Sequence, residues 1–395
     1  MWLKDLYVKI NHSFIYDYET ERATFEEQQE FLAGLKKPKN DYEMAYNHYL
    51  AQMFYYYDRK VQILFNLGSA LLLPLTFLKM KRAGRAYGSL KGETLRGAVI
   101  SKSFKVSPDD IWPRELETEY GEVRMRKPEQ KTALDADAVR FFRGVWRRYP
   151  FHPYFLMIVL RRLGELCPAL HEEKPKAYVV YTRERDFSVP LLTGFCEKNG
   201  IDFVSFMHGD YFYTADKACM RFSKYYVWDE HYVDMFTRLM WPKKQLIVYH
   251  PGKLDGITKP RPDGKYDYFL TYYFGAESRA RIQGVKRAFD VFRAKGLRCK
   301  VRPHPRFSDV EYIREVFAGD YVEDTKTETL EWSLECSRYT CALNSTVLAQ
   351  AYYSGKEFVI DDYADPGRYE ALLKKDYIMM AKPHRLLSEL VKEYS

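Results

Sequence analysis

Ala177-Tyr178-Val179-Val180-Tyr181, Ser188 to Lys198, and Phe203-Val204-Ser205-Phe206-Met207 decide the fold of this chain. They read as strand, helix and strand. Continuous apolar strands of this kind belong to a parallel sheet covered by helices on both faces. The alternation continues with a strand at Lys224-Tyr225-Tyr226-Val227-Trp228, a helix from Asp229 to Leu239 and a strand at Gln245-Leu246-Ile247-Val248-Tyr249. Upstream, Gly97-Ala98-Val99-Ile100-Ser101 predicts a short strand, followed by a polar, Pro-containing connection through Pro128. Asp135 to Arg148 and Pro153 to Leu166 predict helices.

Pro251 to Lys265 is rich in Gly and Pro and reads as a linker, after which the alternation restarts. Strands are predicted at Tyr268–Tyr272, Arg298–Val301, Tyr339–Leu343 and Glu357–Ile360. Helices are predicted at Glu277–Lys295, Asp309–Phe317, Ser345–Ser354 and Pro383–Tyr394. Residues 1–90 read mainly as helix, with a charged, amphipathic stretch from Tyr16 to Leu35 and an aromatic, then apolar stretch from Asp41 to Met80. The expected fold class is α/β: two Rossmann-like doubly wound domains with a cleft between them and a helical N-terminal extension. The expected divisions are 1–95 for the helical region, 96–255 for the first Rossmann-like domain and 256–395 for the second.

The 395 residues exceed one usual hydrophobic core, and 46% hydrophobic with 29% charged residues marks a globular chain. A formal charge of +8 favours an anionic partner. That excess is modest for a nucleic-acid binder, and no basic-aromatic motif of an RNA-binding sheet is present, so no nucleic-acid partner is expected. Cys167, Cys196, Cys219, Cys299, Cys336 and Cys341 form no Cys-x-x-Cys pair, and no His lies at zinc spacing from them. Their low density fits a reducing compartment. Met1-Trp2-Leu3-Lys4-Asp5 has no signal-peptide pattern. The expected location is cytoplasmic, with peripheral attachment to the inner face of the cell membrane as an option.

That option comes from Val61 to Leu78, a run without charged residues followed by Lys79, Lys81, Arg82 and Arg85. Three readings stay open: a buried helix, a helix lying on an anionic membrane surface with a basic flank, or a span. Gln62, Asn66, Ser69 and Pro74 count against the span.

Ligands of open parallel sheets lie beyond the carboxyl ends of strands. That rule selects Thr182-Arg183-Glu184-Arg185-Asp186, His208-Gly209-Asp210-Tyr211, Tyr273-Phe274-Gly275, the His304-Pro305 turn and Asn344-Ser345-Thr346. His208 is the leading general base, because an imidazole titrates near neutrality and can take a proton from a sugar hydroxyl. Asp210, Glu184 and Asp186 are its rivals, with Arg183 and Arg185 available to pair with them. A histidine merely bonded within a tight turn is the plain alternative. Arg302-Pro303-His304-Pro305-Arg306 offers forked donors, and Asn344-Ser345-Thr346 opens a helix whose first N–H groups attract anions. Together with Gly275 they are the candidate nucleotide-binding residues. The plain alternatives are an ordinary helix cap and a helix-opening proline of the kind seen at His152-Pro153.

Asp135-Ala136-Asp137 resembles an Asp-x-Asp metal motif but precedes an apolar run and is better explained as acids at a helix start. No metal and no other cofactor is expected. A P-loop, a Gly-x-Gly-x-x-Gly turn after a strand and a Gly-x-Ser-x-Gly elbow are all absent.

Phe206-Met207-His208-Gly209 and Tyr226-Val227-Trp228-Asp229-Glu230-His231-Tyr232 resemble the bacterial capsule and surface-polysaccharide glycosyltransferases of the GT-B class. So do Val301-Arg302-Pro303-His304-Pro305 and Leu343-Asn344-Ser345-Thr346-Val347 with Ala351 and Gly355-Lys356. The group contains sialyl- and polysialyltransferases, Kdo transferases and teichoic-acid polyol-phosphate polymerases, and the resemblance covers about residues 177–360. It implies a GT-B fold without a metal requirement. It also implies a nucleotide-activated sugar as donor and a glycan or lipid-linked glycan as acceptor, in capsule, lipopolysaccharide or lipooligosaccharide synthesis. In the sialyltransferase-like members a His-Pro motif and a Ser/Thr pair hold CMP, which His304, Ser345 and Thr346 match. Their base comes from an acidic-acidic-Gly motif, where this chain has Met207-His208-Gly209. That departure moves it toward the polyol-phosphate polymerases, whose His-Gly serves as base. A CMP-linked acidic sugar is the favoured donor. A CDP-polyol, or nucleotide binding without catalysis in a membrane assembly complex, are the alternatives.

Overall fold

The computed structural model describes residues 23–101, 112–127, 131–181, 183–251 and 258–395. They contain two six-stranded sheets, and all pairings within both are parallel. The chain divides into two compact units. One comprises residues 1–208 and 213–249, and the other comprises 209–212 and 250–395.

The first sheet is built from β1 (Ala98–Ser101), β2 (Val123–Arg126), β3 (Ala177–Val180), β4 (Asp202–Phe206), β5 (Lys224–Val227) and β6 (Leu246–Val248). Its order is β2-β1-β3-β4-β5-β6, so the chain reverses direction across the sheet between β1 and β3. The second sheet uses β7 (Tyr268–Tyr273), β8 (Cys299–Arg302), β9 (Tyr321–Val322), β10 (Ser337–Ala342), β11 (Phe358–Ile360) and β12 (Arg385–Leu386). Its order, β12-β11-β10-β7-β8-β9, is that of a Rossmann sheet, with the reversal between β7 and β10. The chain is therefore α/β with two doubly wound domains, as expected.

Local differences from the sequence reading have local causes. The helical stretch read over Asp41–Met80 is two helices, Asp41–Tyr56 and Arg59–Ala83. Asp58 separates them, because its carboxylate accepts from the Val61 N–H at 2.9 Å and so starts a second helix. The helix expected to end at Leu166 runs on from Pro153 to Glu173, through Pro168. Helix Glu115–Tyr120 and strand β2 occupy part of the region read as a plain connection. The charged pattern of β2 suits an edge: Arg126 pairs with Glu172 at 2.7 Å and with Glu173 at 3.1 Å. Leu387–Tyr394 forms the terminal helix, while Arg385-Leu386 is drawn into the sheet as β12. Residues 16–22 of the first expected helix lie outside the described residues; Phe25–Gly34 is helical and carries a Thr24 capping box.

Helix Asp41–Tyr56 is tied to the rest of the first unit through the buried carboxylate of Asp216. The Tyr56 hydroxyl donates to Asp216 at 2.5 Å, and Arg185 and Lys217 pair with the same carboxylate at 2.9 and 3.3 Å. Burial pushes the Asp216 pKa up, but Lys217 and Arg185 outweigh it and the carboxyl lies well below its usual range. His48 on the same helix is fully buried, with Gln52 beside it at 3.0 Å.

Two outcomes follow for stability. Replacing Asp216 by Asn leaves the buried Lys217 without its counter-ion and the exposed Arg185 short of a partner, and should cost about 3–5 kcal/mol in urea denaturation. Burial drives the His48 pKa from 6.5 to about 4, so between these values the unfolded chain takes up a proton that the folded one refuses. Stability should be full above about pH 6.5 and fall by at most ~1.4 kcal/mol per pH unit toward pH 4. His48→Gln should flatten this slope; an unchanged slope would assign the acid sensitivity elsewhere.

Candidate functional site

In the second unit three strand ends gather the candidate nucleotide-binding residues. β7 leads to Phe274 and Gly275, β8 to the His304 turn, and β10 to Asn344-Ser345. β7 and β10 are the neighbours between which the sheet order reverses, and this is where ligands sit in open α/β sheets. The sheet holds the ends level, with Tyr273 paired to Arg302 and Cys341 to Tyr272.

Ser308 joins two of these loops. Its hydroxyl accepts from the His304 N–H at 2.7 Å and donates to the Gly275 carbonyl at 2.8 Å. Within the turn, His304 Nδ1 accepts from the Arg306 N–H at 3.1 Å, which leaves Nε2 to carry the proton in the neutral ring. Burial and the Arg306 charge both lower the His304 pKa, so the ring is neutral at pH 7 and presents one N–H donor. Phe307 stacks on the imidazole at 4.5 Å and fixes its plane. Pro305 and Arg306 are exposed and His304 is half-buried.

The third loop opens helix Thr346–Tyr353. Ser345 is its N-cap, accepting from the Val347 N–H at 3.3 Å, so the hydroxyl does the ordinary capping task as well as standing at the switch point. Asn344 and Thr346 are half-exposed beside it. The buried Tyr377 hydroxyl accepts from the Ser345 N–H at 3.2 Å. Residues 209–212 group with this unit, and the Phe212 ring lies 5.4 Å from Tyr377. Burial and then the Asp210 charge hold the Tyr377 pKa far above normal. Asp210 is thus associated with the loop after β10, whereas His208 groups with the first unit.

Arg302 does not share the exposed face of the turn. Its guanidinium bonds the buried Glu323 at 2.6 Å and the carbonyls of Glu328 and Thr329 at 3.1 and 3.4 Å. Glu323 also pairs with the buried Lys300 at 2.6 Å. A carboxylate inside this unit needs both cations, and that demand takes Arg302 out of the expected phosphate cradle. Asp361, after β11, is likewise interior. It accepts from Tyr272 at 2.6 Å, Arg281 at 3.2 Å and the Ala364 N–H at 2.9 Å. Arg281 reaches it because Gly284 lets helix Arg279–Ala294 press against the loop; a Cβ there would lie 2.8 Å from that of Ala364.

In the first unit His208 follows β4, half-buried, with its ring 5.0 Å from Tyr181 in an edge-on contact. Its two sequence rivals after β3 have structural partners. Glu184 is buried and accepts from the Tyr225 hydroxyl at 3.0 Å. Asp186 accepts from Arg162 at 2.7 Å, Arg183 at 3.2 Å and the Ser188 N–H at 3.1 Å. Burial raises the Asp186 pKa, but the two arginines and Ser188 overcome it and the net shift is downward, which suits a fixed anion rather than a base. Both carboxylates are thus held by partners within the fold.

Beside the switch point between β1 and β3 lies a cavity of about 230 Å³ that the sequence did not reveal. Ser101, Arg162, Glu165, Tyr178, Arg183 and Asp186 provide its polar lining. Helix Pro153–Glu173 brings in Arg162 and Glu165, far from the strand-end motifs in sequence. Asp135, read from the sequence as a first-turn acid, is the N-cap of helix Ala136–Arg148, accepting from the Ala138 N–H at 2.6 Å. Its other oxygen bonds the half-buried His171 Nε2 at 2.6 Å, and the buried Cys167 completes a trio. Burial raises the Cys167 thiol pKa, and its sulfur accepts from the Asp135 N–H at 3.3 Å. These bonds describe a cap pinned to the neighbouring helix.

No protein-family model matches the chain, and no curated protein matches it. Solved structures with partial similarity include UDP-GlcNAc 2-epimerase from Neisseria meningitidis bound to UDP-GlcNAc. That protein is 9% identical, with a TM-score of 0.43 over 76% of this chain and 90% of the epimerase. The Methanocaldococcus jannaschii UDP-GlcNAc 2-epimerase in complex with UDP-GlcNAc and UDP is 11% identical, with a TM-score of 0.43 over 76% of this chain and 91% of that one. A variant of the wall teichoic acid polymerase TagF is 11% identical, with a TM-score of 0.43 over 85% of this chain and 88% of the polymerase. Likenesses at this level assign neither a substrate nor a reaction to this chain.

Gly284→Ala should cost about 1–3 kcal/mol by forcing the helix off the Asp361 loop. Gly34→Ala, where a Cβ meets nothing within 4 Å, is the control and should be neutral or slightly stabilising in the same thermal denaturation.

Proposed function

We propose that the chain is a metal-independent GT-B glycosyltransferase of bacterial surface-glycan synthesis, with the nucleotide held on the second unit and the general base, His208, on the first. The observation that carries the nucleotide half is the Ser308 bridge, which ties the His304 turn to Gly275 beside the reversal point of a Rossmann-ordered sheet. In this reading His304 Nε2–H, Arg306 and the first N–H groups of helix Thr346–Tyr353 face the phosphate oxygens. Cation, neutral donor and helix dipole then all act where negative charge grows on the leaving group.

The reaction is a single displacement. The acceptor hydroxyl gives its proton to the His208 imidazole as its oxygen bonds the anomeric carbon. The bond from that carbon to the phosphate oxygen breaks, and the nucleotide leaves with the electron pair. Inversion follows from one in-line step. In this reading the acceptor uses the 230 Å³ cavity lined by Arg162, Arg183 and Asp186, where both charge signs are available to its hydroxyls and acidic groups. The favoured donor is a CMP-linked acidic sugar. The His208-Gly209 pair supports a second reading, transfer of a polyol phosphate from a CDP-polyol. There the same base serves an attack on phosphorus.

A thermal-shift screen with CMP, CDP, UDP, GDP and their sugars should give its largest stabilisation with a cytidine nucleotide. His304→Ala should remove most of that shift, and an unchanged shift would take the phosphate role from the turn. His208→Ala should lower turnover by about 10²–10⁴-fold while nucleotide affinity holds. Product mass separates the two readings, since a phosphodiester-linked unit instead of a glycoside identifies polyol-phosphate transfer. Nucleotide binding without turnover of any donor would leave a non-catalytic binding subunit.

A further inference from the structure

Helix Arg59–Ala83 is apolar along most of its length, yet among the described residues protein covers only one side of it. Phe65, Ser69, Leu73 and Met80 form the covered side. Phe65 stacks on Tyr154 at 4.9 Å, Phe77 meets Phe142 and Trp146 at 5.5 and 6.0 Å, and Asn66 accepts from the Tyr154 N–H at 3.3 Å. Near the far end Gly164 admits Met80; a Cβ there would fall 2.7 Å from its sulfur. The helix is therefore anchored along its length to the first unit.

The opposite side carries Ile63, Leu64, Leu67, Leu71, Leu72, Leu75 and Leu78, which are between 52% and 77% exposed. On a 3.6-residue repeat these seven fall on one face, running for about 22 Å along the axis. Among the described residues they account for most of the large exposed hydrophobic side chains. An unbroken leucine face of this kind is not the scattered apolar exposure of an ordinary surface. Its charge pattern states what covers it. The helix contains no Asp or Glu. Lys60 lies on the leucine side at one end, with Lys79, Lys81 and Arg82 at the other and Arg85 just beyond. Cations at both ends of an apolar face match a layer that is apolar inside and anionic at its surface.

We infer that this leucine face docks the protein on an anionic lipid bilayer, with the helix lying in the membrane plane and its end cations among the headgroups. A spanning orientation conflicts with the covered side, because Phe65, Leu73 and Met80 would have to leave their packing against the unit. Burial of several leucines supplies the apolar part of binding, and each cation near the surface adds to it. The docking is independent of the reaction proposed above and is tested without it.

Flotation of the full chain with liposomes supplies the test. Vesicles of phosphatidylcholine with about one third phosphatidylglycerol should retain the protein at least about tenfold better than phosphatidylcholine alone, and high salt should narrow the difference. Leu67→Glu with Leu71→Glu and Leu75→Glu should abolish retention while far-ultraviolet circular dichroism is unchanged. Lys79→Glu with Arg82→Glu should weaken it at least about tenfold. Leu71→Cys offers a check that does not depend on the triple variant folding, because the six native thiols are buried and an environment-sensitive fluorophore attaches at position 71. Its emission should shift to the blue on anionic vesicles. Equal retention on both vesicle types, no retention on either, or an unshifted fluorophore overturns the inference. So does a lipid-free dimer that Leu71→Glu dissociates, since a second copy then covers the face. Resistance of the wild type to alkaline extraction would indicate a span and overturn it as well.

Discussion

Parallel pairing is the constraint on which the rest depends. Two parallel strands cannot be joined by a tight turn, so each connection must cross the sheet, usually as a helix. Every strand in a sheet then ends on the same edge, and the loops leaving that edge are the places where polar residues from distant parts of the chain meet. Here Gly275, His304 and Ser345 are separated in sequence by tens of residues. They come together because β7, β8 and β10 are neighbours that point the same way.

The strand-end loops are held by ions inside the fold. Glu323 sits between Lys300 and Arg302, Asp361 holds Arg281, Asp186 joins Arg162 to Arg183, and Asp216 joins Arg185 to Lys217. A buried carboxylate left alone is too costly to keep ionised, so each recruits cations from adjoining elements. These pairs orient loops beside the candidate sites, and they also claim residues that look chemically available. Arg302 and Asp186 are examples: the turn beyond β8 keeps His304 and Arg306 on its open side once Arg302 has turned inward.

The first unit divides its apolar residues between two surroundings. Most go to the core around β1 to β5, but the outer face of helix Arg59–Ala83 keeps a row of leucines in the open. A helix used only as a core element would bury such a row, and one used only at the surface would replace it by polar residues. The combination fits the lipid docking inferred above, with one helix packed on the unit along one side and open on the other.

Some of this was legible in the residues alone. The apolar runs at 177–181, 203–207, 268–272 and 339–343 declared a parallel α/β chain, because strands buried on both faces need no polar alternation. The strand-end rule picked out His208, His304 and Ser345 by position, and the apolar run after Asp135 marked that residue as an acid at a helix start. The edge strands β2, β9 and β12 were not legible, since two to four residues with charged neighbours carry no period; pairing with an adjacent strand creates them. Neither were the break at Asp58, the Ser308 bridge or the cavity brought together by Arg162 and Arg183. Nor were the partners of Glu184, Asp186 and Arg302 legible, Tyr225, Arg162 and Glu323 among them. A side chain's chemistry is written in the sequence, but whether it faces a ligand or a buried counter-ion depends on which distant segment packs against it, and that is decided only when the chain has folded.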